Sequence, residues 1–292
     1  MKRIPDPLLK KTASERLRYA TGELLGADDF LDEQTYHRRQ LAHALLFLNG
    51  SGTLAGLRVV AKHRPGATTA EDEVHLEVEP GLALDRAGRL IEVPREACLR
   101  LRRWFDFIAA QLPDSAVQDV GDLRAALQNG AVVADVFLAF HPCDRGYTPA
   151  FASGPFDALD ASQPSRVRDA YELSLVLRPE ANPPVATDPW AGIATVANAQ
   201  KASLDAWQTL ALPPPDHAGD WHENPAAIDP TAVLLARVRL PAGPAPNAAS
   251  APVPDWSAAT WADSAPGENS NIKNDVRNFI LPTAAIRHLA GV

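Results

Sequence analysis

The sequence predicts an α+β protein: an N-terminal helical segment followed by a mainly antiparallel β body with proline-rich accessory loops. Apolar residues recur with a helical period up to Asn49-Gly50 and alternate with polar residues from Gly52 onward. Residues 179–266 hold 15 of the 26 prolines and five of the six tryptophans. We therefore expect a helical docking segment (1–50), a β-rich core with inserted helices (51–178), an acidic Pro/Trp-rich accessory region (179–266) and a closing segment (267–292).

The first long element is a helix from about Asp29 to Leu48, preceded by an extended lead that includes a short helical piece. Asp28 and Asp29 are candidate N-caps, because their side-chain oxygens can accept the free amides of a first turn. Gly50 is typical of a helix C-terminus. One face carries apolar side chains and a histidine, and we expect it to cover the body's core: Phe30, His37, Leu41, Leu45 and Leu48.

The β body begins with GTLAGLRVVAKH, a strand candidate punctuated by glycines. Val74–Val78 alternates apolar and polar residues, as a half-buried strand does. Leu82–Leu84 and Arg89–Val93 flank the DRAG sequence of residues 85–88, and this pattern predicts a β-hairpin.

The remaining elements follow from the same patterns. Residues 99–128 are predicted to hold two helices, the first with Trp104, Phe107, Ile108 and Leu112 on one face and the second at Val120–Leu127. Ala131–Phe140 is apolar on both faces except at Asp135, which is typical of a central strand. Further predictions are strands at 168–179, 231–240 and 276–281, a helix at Ile193–Leu210, and an extended, mobile stretch at Pro241–Trp256.

Composition argues against several classes of function. With 28 basic and 36 acidic residues the net charge is -8, which disfavours nucleic-acid binding. The chain has no apolar run near the roughly 18 residues of a membrane helix, and MKRIPDPLLKK lacks a signal sequence, so we expect a cytoplasmic protein without membrane insertion. Two cysteines, Cys98 and Cys143, cannot build a disulfide framework.

The densest cluster of potential metal ligands is DHAGDWHE, from Asp216 to Glu223, with His217 and His222 as candidate ligands. Prolines at 213–215 and 225 place it on a loop that lacks a rigid scaffold, so we expect no metal, no other cofactor and no catalytic residue. A metal-assisted hydrolase using this loop remains one alternative. A carbohydrate-binding module is another, if the tryptophans at 190, 207, 221, 256 and 261 are exposed rather than packed on the core.

Several segments together resemble a poorly characterised bacterial family associated with phage-tail-like contractile injection systems. They are LLGADDFLDEQTYHRRQL, GSGTLAGLRVV, LEVEPGLALDRAGRLIEVP, SRVRDAYELSLVL, VLLARVRL and IKNDVRNFILPT. The third is also similar to β-hairpins of baseplate and tail-fibre proteins. The resemblance implies a non-catalytic structural subunit, assembled with other tail or baseplate subunits into a particle, and it transfers no catalytic residues.

Assembly requires contact surfaces, and we expect a homo-oligomer or docking into the particle through the N-terminal helix. The candidate interface residues are Phe30, Tyr36, Arg38 and Arg39. Tyrosine and arginine are enriched at interface hot spots. On a regular helix, Tyr36, Arg38 and Arg39 are expected to face away from the body's core.

Overall fold

A computed structural model describes residues 4–10, 15–66, 73–110, 123–149, 162–186, 195–210, 223–225, 228–246, 250–263 and 268–290, with the backbone alone at 207–210 and 290. It confirms the α+β class, with a long N-terminal helix ahead of mostly antiparallel sheets.

Helices and strands follow one another in an order close to the predicted one. The helices are α1 (Ala27–Asn49), α2 (Leu101–Ala110), α3 (Val196–Leu210) and α4 (Thr283–Ala290), after a 3-10 turn at Pro7–Leu9. The strands are β1 (Gly52–Gly56), β2 (Val59–Arg64), β3 (Glu73–Val78), β4 (Gly81–Leu84), β5 (Leu90–Val93), β6 (Ala97–Arg100), β7 (Leu127–Gln128), β8 (Ala131–Pro149), β9 (Ser162–Leu177), β10 (Val233–Gly243), β11 (Val253–Pro254) and β12 (Ile272–Lys273). The helix predicted at Ile193–Leu210 is confirmed over Val196–Leu210 as α3, and residues 193 and 194 lie outside the described residues.

The first six strands form two small antiparallel sheets, ordered β1-β4-β5 and β2-β3-β6. The predicted hairpin is β4-β5, with Ala83 opposite Ile91. The prediction of one strand over GTLAGLRVVAKH is wrong, because Gly56 and Leu57 adopt positive φ values of 63° and 58°. These two residues turn the chain from the first sheet into the second, and Leu57 is fully buried in the core at that turn.

The main sheet is built around β8, as its apolar composition predicts. Its first ten residues, 131–140, are all buried. β8 pairs antiparallel with β9 on one side and with β10 on the other. Val136 and Leu138 contribute to the large core shared with the small sheets, while Phe137 packs with Leu234 on the opposite face. Because β10 lies within residues 179–266, the proline-rich stretch supplies a central strand of the body.

Helix α2 closes one side of the large core through Leu101 and Phe105, which are 1% and 3% exposed. The predicted face is partly wrong, because Phe107 is 66% exposed. Trp104 is half-buried, and its indole N–H donates to the Leu175 carbonyl at 3.0 Å. The second helix predicted at Val120–Leu127 does not reach its predicted end, since Leu127 begins β7.

Two segments near the C-terminus differ from the simplest expectation. Residues 276–281 do not form a strand, but Phe279 makes a parallel bridge with Thr53 of β1. The Asn274 side chain nearby accepts from Val59 N–H at 2.9 Å and donates to the Val59 carbonyl at 3.0 Å. The stretch Pro241–Trp256, predicted to be extended and mobile, is extended at both ends, where Ala242 pairs with Pro254. Side-chain and backbone hydrogen bonds thus order segments that have no apolar periodicity.

Candidate docking surface

Helix α1 ends at the predicted glycine, but its N-cap differs from the predicted one. The N-cap is Gly26 rather than Asp28 or Asp29, and the Asp29 carboxylate accepts the Gly26 N–H at 2.7 Å. Asp28 and Asp29 lie in the first turn, where negative charge stabilises the positive end of the helix dipole. At the C-terminus Gly50 has φ +74° and donates its N–H to the Leu46 carbonyl at 2.7 Å.

The side of α1 that contacts the rest of the chain carries Ala42 and Leu46, which are 5% and 2% exposed. Ala42 lies against the β4-β5 hairpin tip so closely that a Cβ on Gly88 would overlap the Ala42 carbonyl. Leu46 packs against Ala206 of α3. A small residue at 42 and a glycine at 88 let the two backbones approach, and this close fit selects the buried side of the helix.

The predicted core-facing side of α1 therefore points outward, and that prediction is wrong. Phe30 is 50% exposed, Leu41 61% and Leu48 80%. The apolar stripe itself is real, since these residues share one face of the helix. Their face lies opposite the Ala42/Leu46 side, because about 100° separates successive residues of a helix.

The exposed stripe has the spacing of a coiled-coil contact face. It consists of Phe30, Gln34, His37, Leu41, Ala44 and Leu48, separated by alternating steps of four and three residues, and all six are exposed. We call this set the docking seam. At about 1.5 Å per residue it is about 27 Å long. A 4-3 repeat of mostly apolar residues is the pattern by which one helix packs along another.

The four predicted interface residues do not form a single patch. Phe30 lies on the docking seam, whereas Tyr36 is half-buried beside it, with its ring 5.4 Å from that of His37. Arg38 donates to the Asp6 carboxylate at 3.4 Å, and Arg39 donates to the Lys10 carbonyl at 2.9 Å. Both arginines therefore hold the N-terminal segment against α1.

A buried charge network fixes the hairpin tip beneath α1. Arg89, 4% exposed, donates to Asp85 at 2.7 Å, to Asp6 at 3.0 Å and to the Thr231 hydroxyl at 2.7 Å. Its guanidinium also lies 4.6 Å from the centre of the Phe140 ring. Burial raises the pKa of Asp85 to about 6, although the neighbouring Arg89 opposes that rise. The network joins the N-terminal segment, the hairpin and Thr231 just before β10, and through Asp6 it reaches Arg38 of α1.

A second network lies within and beside the main sheet. Asp135 is fully buried on β8 and accepts two hydrogen bonds from Arg237 of β10, at 2.8 and 3.0 Å. Burial raises the pKa of Asp135 despite these bonds. Arg178 lies 3.5 Å from the same carboxylate and donates to the Glu223 carbonyl at 2.6 Å.

The two networks meet at the hairpin, where Arg86 pairs with the Glu223 carboxylate. Burial lowers the pKa of Arg86 to about 9. Charged side chains therefore run from the hairpin tip into the main sheet. These charged side chains join segments that are distant in sequence and so hold the fold together.

The metal-site candidates His217 and His222 lie outside the described residues, as does most of the Asp216–Glu223 loop. Within the described ranges, no group of three or more His, Cys, Asp and Glu side chains is placed to hold a metal ion.

Two of the five tryptophans considered for sugar binding have described side chains, and both are packed. Trp261 is 2% exposed and donates to the Asp255 carbonyl at 2.9 Å. Trp256 is half-buried, with its ring 6.1 Å from Phe105. Neither one offers a free aromatic face for stacking on a sugar.

No protein-family model and no curated protein matches the chain. Among the described residues, no helix is long and apolar enough to cross a membrane.

Proposed function

We propose that this chain is a non-catalytic structural subunit of a phage-tail-like contractile injection particle, and that it docks into the particle through the docking seam of α1. The observation that carries the docking role is the outward direction of the seam. A long helix normally turns its apolar stripe toward its own core. Here a different side, Ala42 and Leu46, is buried, and Phe30, Leu41 and Leu48 remain for a contact outside the chain.

The buried charge networks support the same role. A docking helix must be attached to its own body, and the Arg89 network attaches α1 to the hairpin through Asp6, which also accepts from Arg38. The particle itself is inferred from the resemblance of the N-terminal helix, the DRAG hairpin and the β9 and β10 segments to the injection-system family. Other tail or baseplate subunits are the proposed partners.

The test is co-sedimentation with particles in cells that produce the whole particle from its gene cluster. Leu41→Glu places a charge in the middle of the seam, and Leu204→Glu makes the same change at an 81% exposed leucine on α3, outside the seam. We expect the wild-type chain and the Leu204→Glu variant to sediment with intact particles, and the Leu41→Glu variant to stay in the light fractions. Absence of the wild-type chain from every particle fraction would overturn the particle assignment. Co-sedimentation of Leu41→Glu at the wild-type level would overturn the docking role of the seam.

A further inference from the structure

We infer that the docking seam binds a second copy of this chain in a parallel, in-register, two-stranded coiled coil. This inference rests on the proposed docking role of the seam, but not on the identity of the particle. The order of residues along the seam and the charges on its flanks both favour a second copy as its occupant.

The seam residues occupy the two core positions of a heptad repeat. Gln34, Leu41 and Leu48 fall at position a, while Phe30, His37 and Ala44 fall at position d, and all six are exposed. The 4-3 spacing favours a helical partner, and Leu31, 47% exposed at the adjoining position e, widens the apolar face at its N-terminal end.

The order of polar and apolar residues distinguishes the two possible orientations. In a parallel, in-register pair each residue meets its own counterpart, so Gln34 faces Gln34 and His37 faces His37, and each pair can satisfy its polar groups. A fully overlapped antiparallel pair instead sets Gln34 against Ala44 and His37 against Leu41. Burying a polar group against an apolar one leaves its hydrogen bonds unmade, which is costly. A polar residue at position a is a known determinant of register in parallel coiled coils.

The charged residues that flank the seam also favour the parallel orientation. Glu33 lies at position g and Arg38 at position e of the next heptad, the two positions that face each other across a parallel pair. Their side chains remain 37% and 39% exposed beside the seam. Parallel packing brings Glu33 of each copy beside Arg38 of the other, and these two opposite-charge contacts add to the contacts made within each chain by Arg38 with Asp6 and by Glu33 with Tyr19. Antiparallel packing brings Arg38 close to Arg38 of the second copy and leaves Glu33 facing Phe47.

The described part of the chain leaves room for this partner. The buried side of α1, at Ala42 and Leu46, is turned away from the seam, so the two bodies lie on opposite outer sides of the helix pair. Among the described residues, the N-terminal lead lies along one flank of the seam, where Arg16, Leu17 and Arg18 line a groove with Glu33 and the seam residue His37. Phe30, Leu41 and Leu48 keep about half or more of their surface exposed beside that lead.

Disulfide trapping of the purified full-length chain tests both the occupant and the orientation. The exposed Cys98 is replaced by serine, and cysteine is introduced as Leu48→Cys or Phe30→Cys in separate proteins. Parallel pairing juxtaposes Leu48 with Leu48, whereas antiparallel pairing separates the two by about 27 Å, far beyond disulfide reach. We expect each single variant alone to form a covalent dimer under mild oxidation. Cross-linking only in the mixture of the two variants would establish the antiparallel pair and overturn the parallel inference.

Sedimentation equilibrium of the chain without cross-links measures the dissociation constant of the dimer. Leu41→Glu is expected to weaken dimerisation at least about tenfold, since the charge enters the seam twice in a dimer, while Leu204→Glu leaves it unchanged. His37→Leu removes a polar residue from a core position and is expected to strengthen dimerisation. A monomer at all concentrations, with no cross-link at either position, would overturn the inference. If Leu41→Glu still abolished particle co-sedimentation in that case, a different subunit would be the occupant, and the proposed function would stand.

Discussion

Replacing Arg89 by methionine removes the cation that three separate segments share. The change keeps most of the side-chain volume but leaves Asp85 and Asp6 without their closest charged partner, at 2.7 and 3.0 Å. Breaking a buried ion pair on one side costs about 3–5 kcal/mol. Asp85 retains hydrogen bonds from the amides of Ala87 and Arg89, and Asp6 retains Arg38, so we expect the lower part of that range, about 3 kcal/mol at neutral pH.

The loss is expected to depend on pH. Burial already raises the pKa of Asp85 to about 6, above its value in the unfolded chain. The folded protein therefore binds the extra proton more readily between pH ~4 and 6, so the contribution of this group to stability is greatest at low pH and is lost as pH rises through 6. Without Arg89 the carboxylate lacks its compensating charge, and Arg89→Met should cost less at pH 5 than at pH 7.

Urea unfolding followed by tryptophan fluorescence measures both quantities. Arg103→Met makes the same change at an exposed position on α2 and is the matched control, expected to lie within about 0.5 kcal/mol of the wild type. Adding Asp85→Asn to Arg89→Met should recover about 1 kcal/mol or more at pH 7, because it removes one uncompensated charge. A cost below about 1 kcal/mol for Arg89→Met, equal at both pH values, would refute the conclusion that this network holds the hairpin in place.

Three further predictions concern α1, the hairpin tip and the cysteines. Leu46→Ala should cost about 2–5 kcal/mol in urea unfolding, because Leu46 is 2% exposed, whereas Leu48→Ala, at 80% exposure, should change stability by less than about 0.5 kcal/mol when measured well below the dimerisation range. Gly88→Ala should cost about 2 kcal/mol or more in the same assay, because φ is +74° and the new Cβ overlaps α1; a neutral effect would contradict the close fit of helix and hairpin. A thiol reagent should label Cys98 rapidly and Cys143, 1% exposed, only on unfolding, and equal labelling rates would contradict the burial of β8.

Local patterns in the sequence were sufficient for those strands whose burial alternates regularly or is continuous along the strand. The β4-β5 hairpin, the strand Val74–Val78 and the doubly covered β8 are all confirmed, because alternation and apolar runs report directly on burial. The turn at Leu57 was not predicted, because a φ of +58° is unfavourable for leucine and is adopted here through tertiary packing. The strand expected at 276–281 is reduced to a single parallel bridge between Phe279 and Thr53, whose position is set by tertiary packing.

The direction of α1 could not be predicted for a similar reason. Its apolar stripe was found correctly, but the groups that select the buried side, Gly88, Asp6 and Ala206, are distant in sequence. One signal could have revealed the seam: the strict alternation of four- and three-residue steps from Phe30 to Leu48, which favours a partner helix over a core. Nothing local indicates that Arg38 and Arg39 hold the N-terminal segment, because their partners are a carboxylate and a carbonyl of that irregular lead.

Electron microscopy of intact particles, isolated through an affinity tag on this chain, tests the central claim most directly. The account predicts that the tag recovers sheathed, tail-like particles in which this subunit occupies a fixed position with the docking seam of α1 buried against a neighbouring subunit. Recovery of the tagged chain only as free protein, while the same cells yield complete particles that lack it, would contradict the account.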